Sequence, residues 1–149
     1  MINISLRPHK AINGEESRYL EHVHFFDGVE MKNLTEKKIQ QSIDDRKKTH
    51  LTFLENVKTY KPFLELEEKA FRNGALTKKT KELMALSISI ATKCEPCMEW
   101  HLDQALQHGA TDEEIYETID VAIEMGGGQA GAYARFVLKA MEYFKQKNG

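Results

Sequence analysis

The stretch TKKTKELMALSISIATKCEPCMEWH, running from Thr77 to His101, decides how this chain folds. Thr77 can cap a helix, and Leu83, Met84, Leu86, Ile88, Ile90 and Ala91 follow it with almost no polar residue between them. A run that is apolar on nearly every face predicts a helix buried on most sides. It ends at Thr92-Lys93, and a second helix begins at once. Pro96 suits the first turn of that helix, where its missing N–H has no partner to lose.

Both cysteines of the chain lie at this junction, Cys94 near the cap and Cys97 in the first turn. At roughly 100° per residue, Cys94, Cys97 and His101 share one helix face. The positive end of the helix dipole favours a thiolate there. His101, one turn beyond Cys97, can take that thiol's proton or hold the thiolate as an ion pair. The first reading is therefore a dithiol/disulfide redox site with its own base. Two inert core cysteines, or a zinc site with His108 as fourth ligand, are the rival readings. Neither a metal nor a cofactor is expected. Glu82, twelve positions before Cys94, is a lone carboxylate at the entry to the apolar run. Only tertiary packing can bring it to the thiols.

Outward from this core the pattern stays helical. Pro62 fits the first turn of a helix carrying Phe63, Leu66, Ala70 and Phe71 and ending at Asn73-Gly74. Thr35 can cap an earlier helix through Ile39 and Ile43 towards Leu54 and Val57, with the charged patch Asp44–Lys48 keeping it exposed or at an interface. The stretch from Met1 to Asn33, with Pro8, Gly14 and Gly28, reads as irregular, with a short extended piece at Tyr19–Phe26. The pair His22 and His24 in that piece is a weak metal pattern.

Downstream, Leu102, Ala105 and Leu106 form a core stripe and Gly109 a helix stop. Thr111 and Glu114 make a capping box for a helix with Ile115, Ile119, Ala122 and Ile123 on its inner face. After Gly126-Gly127-Gly128 a last helix carries Tyr133, Phe136, Val137, Ala140, Met141 and Phe144. The three glycines lack the preceding strand of a phosphate loop and read as close helix packing or a hinge. Tyr133 is a candidate for the pocket wall. The fold class is all-α.

At 149 residues the chain suits one domain with a core of its own. A formal charge of −2 gives no electrostatic case for nucleic acid or an anionic membrane. No apolar run is long enough for a bilayer span, and the first residues lack the apolar centre of a signal peptide. The expected setting is a reducing cytoplasm, where a C-x-x-C is catalytic or metal-binding more often than a structural staple.

Glu82, then Cys94-x-x-Cys97-x-x-x-His101, resembles the pattern of the alkylhydroperoxidase D-like group of the carboxymuconolactone decarboxylase superfamily. Asn73-Gly74-Ala75-Leu76-Thr77, His108-Gly109-Ala110-Thr111, and Met125 to Gly128 before Ala132-Tyr133-Ala134 extend the resemblance. It covers roughly Tyr60 to Phe144. On this basis residues 1–50 are an N-terminal extension, an irregular arm and the start of a helix, and residues 51–149 the helical domain.

The resemblance implies an all-helical bundle assembled as a homotrimer or homohexamer. It also implies a thiol peroxidase or disulfide reductase acting on a small hydroperoxide or disulfide. Cys97 would attack, Cys94 would resolve the sulfenic acid to a disulfide, and Glu82 and His101 would relay protons. A thioredoxin-like or lipoyl protein is the expected dithiol reductant. The better-studied peroxidase members carry a second histidine where this chain has Pro96. Members that act as γ-carboxymuconolactone decarboxylases lack the cysteine pair. Cys-Glu-Pro-Cys also resembles the thioredoxin dithiol, in which the N-terminal cysteine attacks, but the βαβ setting of thioredoxin is missing. Two other functions fit the same residues: an oligomeric scaffold with a redox-sensing cysteine pair, and a cofactor-free lyase using Glu82 and His101 on a small carboxylic acid.

Overall fold

In a computed structural model the backbone is described over residues 14–148 and side chains over residues 34–147. Five helices follow one another: α1 (Gly14–Asn56), α2 (Tyr60–Phe71), α3 (Lys78–Ala91), α4 (Glu95–Gln107) and α5 (Asp112–Asn148). The described residues contain no strand, so the all-α reading holds. Among the described residues, those up to Leu34 fall in one compact unit and those from Thr35 in a second.

The N-terminal reading needs correction. Residues 14–33, including Tyr19–Phe26, are helical, and Thr35 lies inside α1 and not at the start of a helix. No proline stands between Pro8 and Pro62, and one glycine such as Gly28 costs a helix only about 1 kcal/mol. Gly28 therefore does not interrupt α1. The irregular reading of residues 1–13 lies outside the described residues.

Helix α3 packs against both α4 and α5, α4 against α5, and α2 against α3. The core joins Ile39 and Ile43 of α1, Leu86 and Ile90 of α3, Met98 and Leu102 of α4, and Ile115, Ile119, Val137, Met141 and Phe144 of α5. The buried face of α3 is narrower than its sequence predicts. Only Glu82, Leu86, Ser89 and Ile90 are buried, whereas Met84 and Ile88 are 51% and 61% exposed. Helices α4 and α5 cover one side of α3, and its far side keeps an apolar surface.

Two backbone turns set the ends of the central helices. At the end of α4, Ala110 N–H donates to Ala105 C=O at 2.9 Å and Gly109 N–H to Leu106 C=O at 3.0 Å. This paired closure needs a left-handed residue, and Gly109 supplies it with φ 80°. A β-carbon there costs about 1 kcal/mol. Gly109→Ala is therefore expected to lower the melting temperature by roughly 3 °C, and an unchanged melting curve would show that the turn relaxes freely. The same closure ends α3, with Cys94 N–H on Ser89 C=O at 3.0 Å and Lys93 N–H on Ile90 C=O at 3.1 Å. Here the left-handed residue is Lys93, φ 61°. A strained residue thus directly precedes the first cysteine.

The glycine cluster does break the last helix, as its sequence predicts. Gly127 has φ 66° and ψ −161°, so α5 is two helical segments joined at a kink. Gly126 serves packing: a β-carbon there would lie 2.7 Å from the Ala130 Cβ and 3.6 Å from the Ala91 Cα. The Thr111–Glu114 capping box also forms, with Thr111 N–H on a Glu114 oxygen at 2.9 Å and Glu114 N–H on Thr111 Oγ1 at 3.2 Å. Those bonds and Lys79 hold the Glu114 carboxyl below its usual range, Lys79 most strongly.

Candidate active site

The tight turn after α3 fixes where the cysteines fall. Cys94 is the residue before α4, its carbonyl accepting the first helical bond from Met98 N–H at 2.9 Å. Pro96 lies in the first turn. Cys94 and Cys97 are joined as a disulfide, with their Cα atoms 5.2 Å apart. Both are half-buried at the positive end of the helix.

Because α3 and α4 run back on each other through that turn, a residue early in α3 faces one midway along α4. Glu82 and His101 meet in this way, His101 Nδ1 lying 2.9 Å from Glu82 Oε2. Glu82 is only 3% exposed. An ionised carboxylate only accepts, so Nδ1 carries the proton and a neutral ring keeps its lone pair on Nε2. Nε2 has no hydrogen-bond partner among the described residues. Phe71 of α2 stacks on the imidazole at 5.4 Å between centroids and 17° between planes. The ring is therefore fixed on its face and on one edge, with the other nitrogen open.

A cavity of about 570 Å³ is bordered by the His101 side chain. Cys97 and His101 line it together with Tyr60, Phe63, Trp100 and Arg46, and Cys94 does not. Of the four residues singled out in the sequence, two therefore reach the cavity. Glu82 stands behind His101, and Cys94 behind Cys97.

Sequence reading missed a second buried charge beside the dithiol. Glu99 is fully buried, takes an ion pair from Arg46 at 3.0 Å and accepts a bond from Ser42 Oγ at 3.3 Å. Burial pushes its carboxyl above the usual range, although Arg46 pulls the other way. The Arg46 guanidinium also lies over the Trp100 ring, 4.3 Å from its centroid. One signal was available. Glu99 stands three and seven residues before Leu102 and Leu106, inside the apolar stripe of α4. Arg46 gave none of its own, sitting in the charged patch Asp44–Lys48 that reads as an exposed or interface face.

The candidate pocket residue Tyr133 and the rival zinc ligand His108 both lie apart from the dithiol cavity. Tyr133 lines a separate hollow with Glu95 and Phe136. His108 is exposed, and its Nδ1 bonds the Gln104 carbonyl of its own helix at 2.7 Å. His22 and His24 have side chains outside the described residues.

The family model for the carboxymuconolactone decarboxylase family matches residues 58–140, more than half of the chain. This chain belongs to that family. An uncharacterized protein encoded in the cox locus of Paracoccus denitrificans is 42% identical over 80 residues, which span 54% of this chain and 72% of that protein. Among solved structures, a carboxymuconolactone decarboxylase family protein of Legionella pneumophila is similar with a TM-score of 0.68. It is 35% identical, and the match covers 72% of this chain and 96% of that one. A Thermotoga maritima member, described with a suggested role in an antioxidative response, matches at 30% identity and a TM-score of 0.67. That match covers 72% of this chain and 92% of the other. The family model's matched segment begins after α1, so Arg46 and the other α1 residues of the cavity lie outside that segment. No helix among the described residues is long and apolar enough to cross a membrane.

Proposed function

We propose that this family member is a dithiol oxidoreductase that reduces hydroperoxides. One observation carries the reading: of the two cysteines, Cys97 alone lines the cavity, beside a histidine whose far nitrogen is anchored to a buried glutamate. In the reduced protein the Cys97 thiol passes its proton to His101 Nε2. The thiolate sulfur attacks the terminal peroxide oxygen, an S–O bond forms and the O–O bond breaks. The leaving alkoxide takes the proton back from His101 and departs as the alcohol. Cys94, three residues away on the same turn, then attacks the Cys97 sulfenic acid. An S–S bond forms, and hydroxide leaves with the Cys94 proton as water. A thioredoxin-like or lipoyl dithiol protein returns both thiols by exchange and is itself oxidised to a disulfide. The antioxidative role suggested for the Thermotoga relative points the same way.

Thiol titration tests this directly. The reduced protein should lose two thiols for each equivalent of hydroperoxide consumed. Retention of both thiols under excess hydroperoxide would remove the peroxidase reading.

The protein's setting is a reducing cytoplasm, in which the dithiol can be restored. Its assembly is a homotrimer or homohexamer. Met84 and Ile88 of α3 and Val121 of α5 border one apolar groove, with Val121 58% exposed, and such a row on a small protein marks an interface. Sedimentation should give a trimer or hexamer at micromolar concentration, and Ile88→Glu should dissociate it. A stable monomer would refute the assembly.

A further inference from the structure

The cavity over Cys97 is much larger than a peroxide group needs. Its volume of about 570 Å³ falls among pockets that hold whole drug-sized molecules, about 300–1,000 Å³. Its aromatic lining of Tyr60, Phe63 and Trp100 suits an apolar body. The wall supplied by α1 differs in kind. It presents Arg46, Lys47 and His50, and α1 precedes the segment the family model matches.

These groups are not equivalent. Arg46 already gives one N–H to Glu99 and rests on Trp100, yet its side chain stays 36% exposed and lines the cavity. Lys47 is exposed and forms no ion pair among the described residues. The one carboxylate among the described lining residues, Glu67, is engaged by the Trp100 indole N–H at 3.3 Å. The cavity thus brings together an open cation, a partly exposed guanidinium, an aromatic lining and the reactive sulfur.

We infer that the substrate carries a carboxylate, received by Lys47 and Arg46 on α1, with its apolar body along Phe63 and Trp100 and its hydroperoxide at Cys97. The nature of the reacting group rests on the peroxidase reading; the binding of the carboxylate does not. A long-chain fatty-acid hydroperoxide has this chemistry. Helix α1 then selects the substrate, and Cys97 and His101 of α4 perform the reaction.

The test separates binding from turnover. Trp100 is the chain's only tryptophan and lines the cavity, so its fluorescence reports occupancy. The full chain is titrated with dodecanoate and with dodecanol, each below its micellar concentration. The acid should bind about tenfold more tightly or better, the effect of one hydrogen bond to a charged group. Lys47→Glu should bring the ratio close to one. Lys47 is exposed, so this variant should fold even if Arg46→Ala, which strands Glu99, does not. Equal binding of acid and alcohol, or a preference that survives Lys47→Glu, overturns the inference. In turnover, linoleic acid hydroperoxide should be consumed faster than its methyl ester. A carboxylate preference in binding with no reduction of either compound upholds the site and defeats the peroxidase reading. Equal reduction of both without a binding preference does the reverse.

Discussion

With Cys97 replaced by serine, hydroperoxide consumption falls to background, a loss of about 10³-fold or more. The Cys94→Ser protein still consumes one equivalent and stops at a sulfenic acid. The asymmetry follows from position. Both sulfurs sit at the start of α4 and share its dipole, so the dipole does not choose between them. Access and the base do choose. Cys97 lines the cavity and lies one turn from His101 on the same helix, whereas Cys94 stands outside that lining at the capping position. Trapping the sulfenic acid with a dimedone reagent and locating it by mass spectrometry decides the matter. Label on Cys94 in the Cys97→Ser protein would mean that the roles are reversed, as in thioredoxin.

Much of the fold from α2 onward was legible because its signals are local. Thr77 accepts the Thr80 N–H at 3.1 Å, as its place before a helical run predicts. Gly109, the Thr111 box and the glycine break in α5 each occupy the position their chemistry requires. The N-terminal helix was not legible. Its sequence has a weak period and two glycines, and helix content there depends on an absence of breakers more than on any positive signal. The burial of α3 was overestimated for a different reason. Composition shows that a face is apolar, and only packing shows whether anything covers it.

The site divides in the same way. Cys94, Cys97 and His101 are close in sequence, so helix geometry alone places them together. Glu82 needs the antiparallel return of α3 on α4, which no local pattern encodes, and the family resemblance supplied it. Arg46 and Glu99, more than fifty residues apart in the chain, had no such guide. A buried Glu99 beside the dithiol is tolerable only because Arg46 and Ser42 cover its oxygens. This ties α1 to the cysteine helix and gives α1 a structural reason to stand at the cavity.

The Glu82–His101 pair should behave as one unit. Glu82 is buried and bonded to His101 Nδ1, and it does not line the cavity, so it acts on the reaction only through the imidazole. Glu82 is thus a positioning residue. It holds the tautomer that leaves Nε2 free for the Cys97 proton, and it stabilises the imidazolium once that proton arrives. Replacing His101 by phenylalanine removes the base, for a loss of about 10²-fold in the rate of thiol oxidation at neutral pH. Glu82→Gln keeps the volume but removes the charge, and its amide can present a donor to Nδ1 and so stabilise the wrong tautomer. Its loss should approach the same size. Once His101 is gone, Glu82 has nothing left to orient, so the double variant should be little slower than His101→Phe alone. Independent action would instead multiply the two losses to about 10⁴-fold. The pH profile separates orientation from a general loss of structure. Raising the pH ionises Cys97 without help, so both single variants should recover towards the parent rate in alkaline solution. A variant that is merely misfolded would stay slow at every pH, and a Glu82→Gln protein with the parent rate throughout would place that carboxylate outside the reaction.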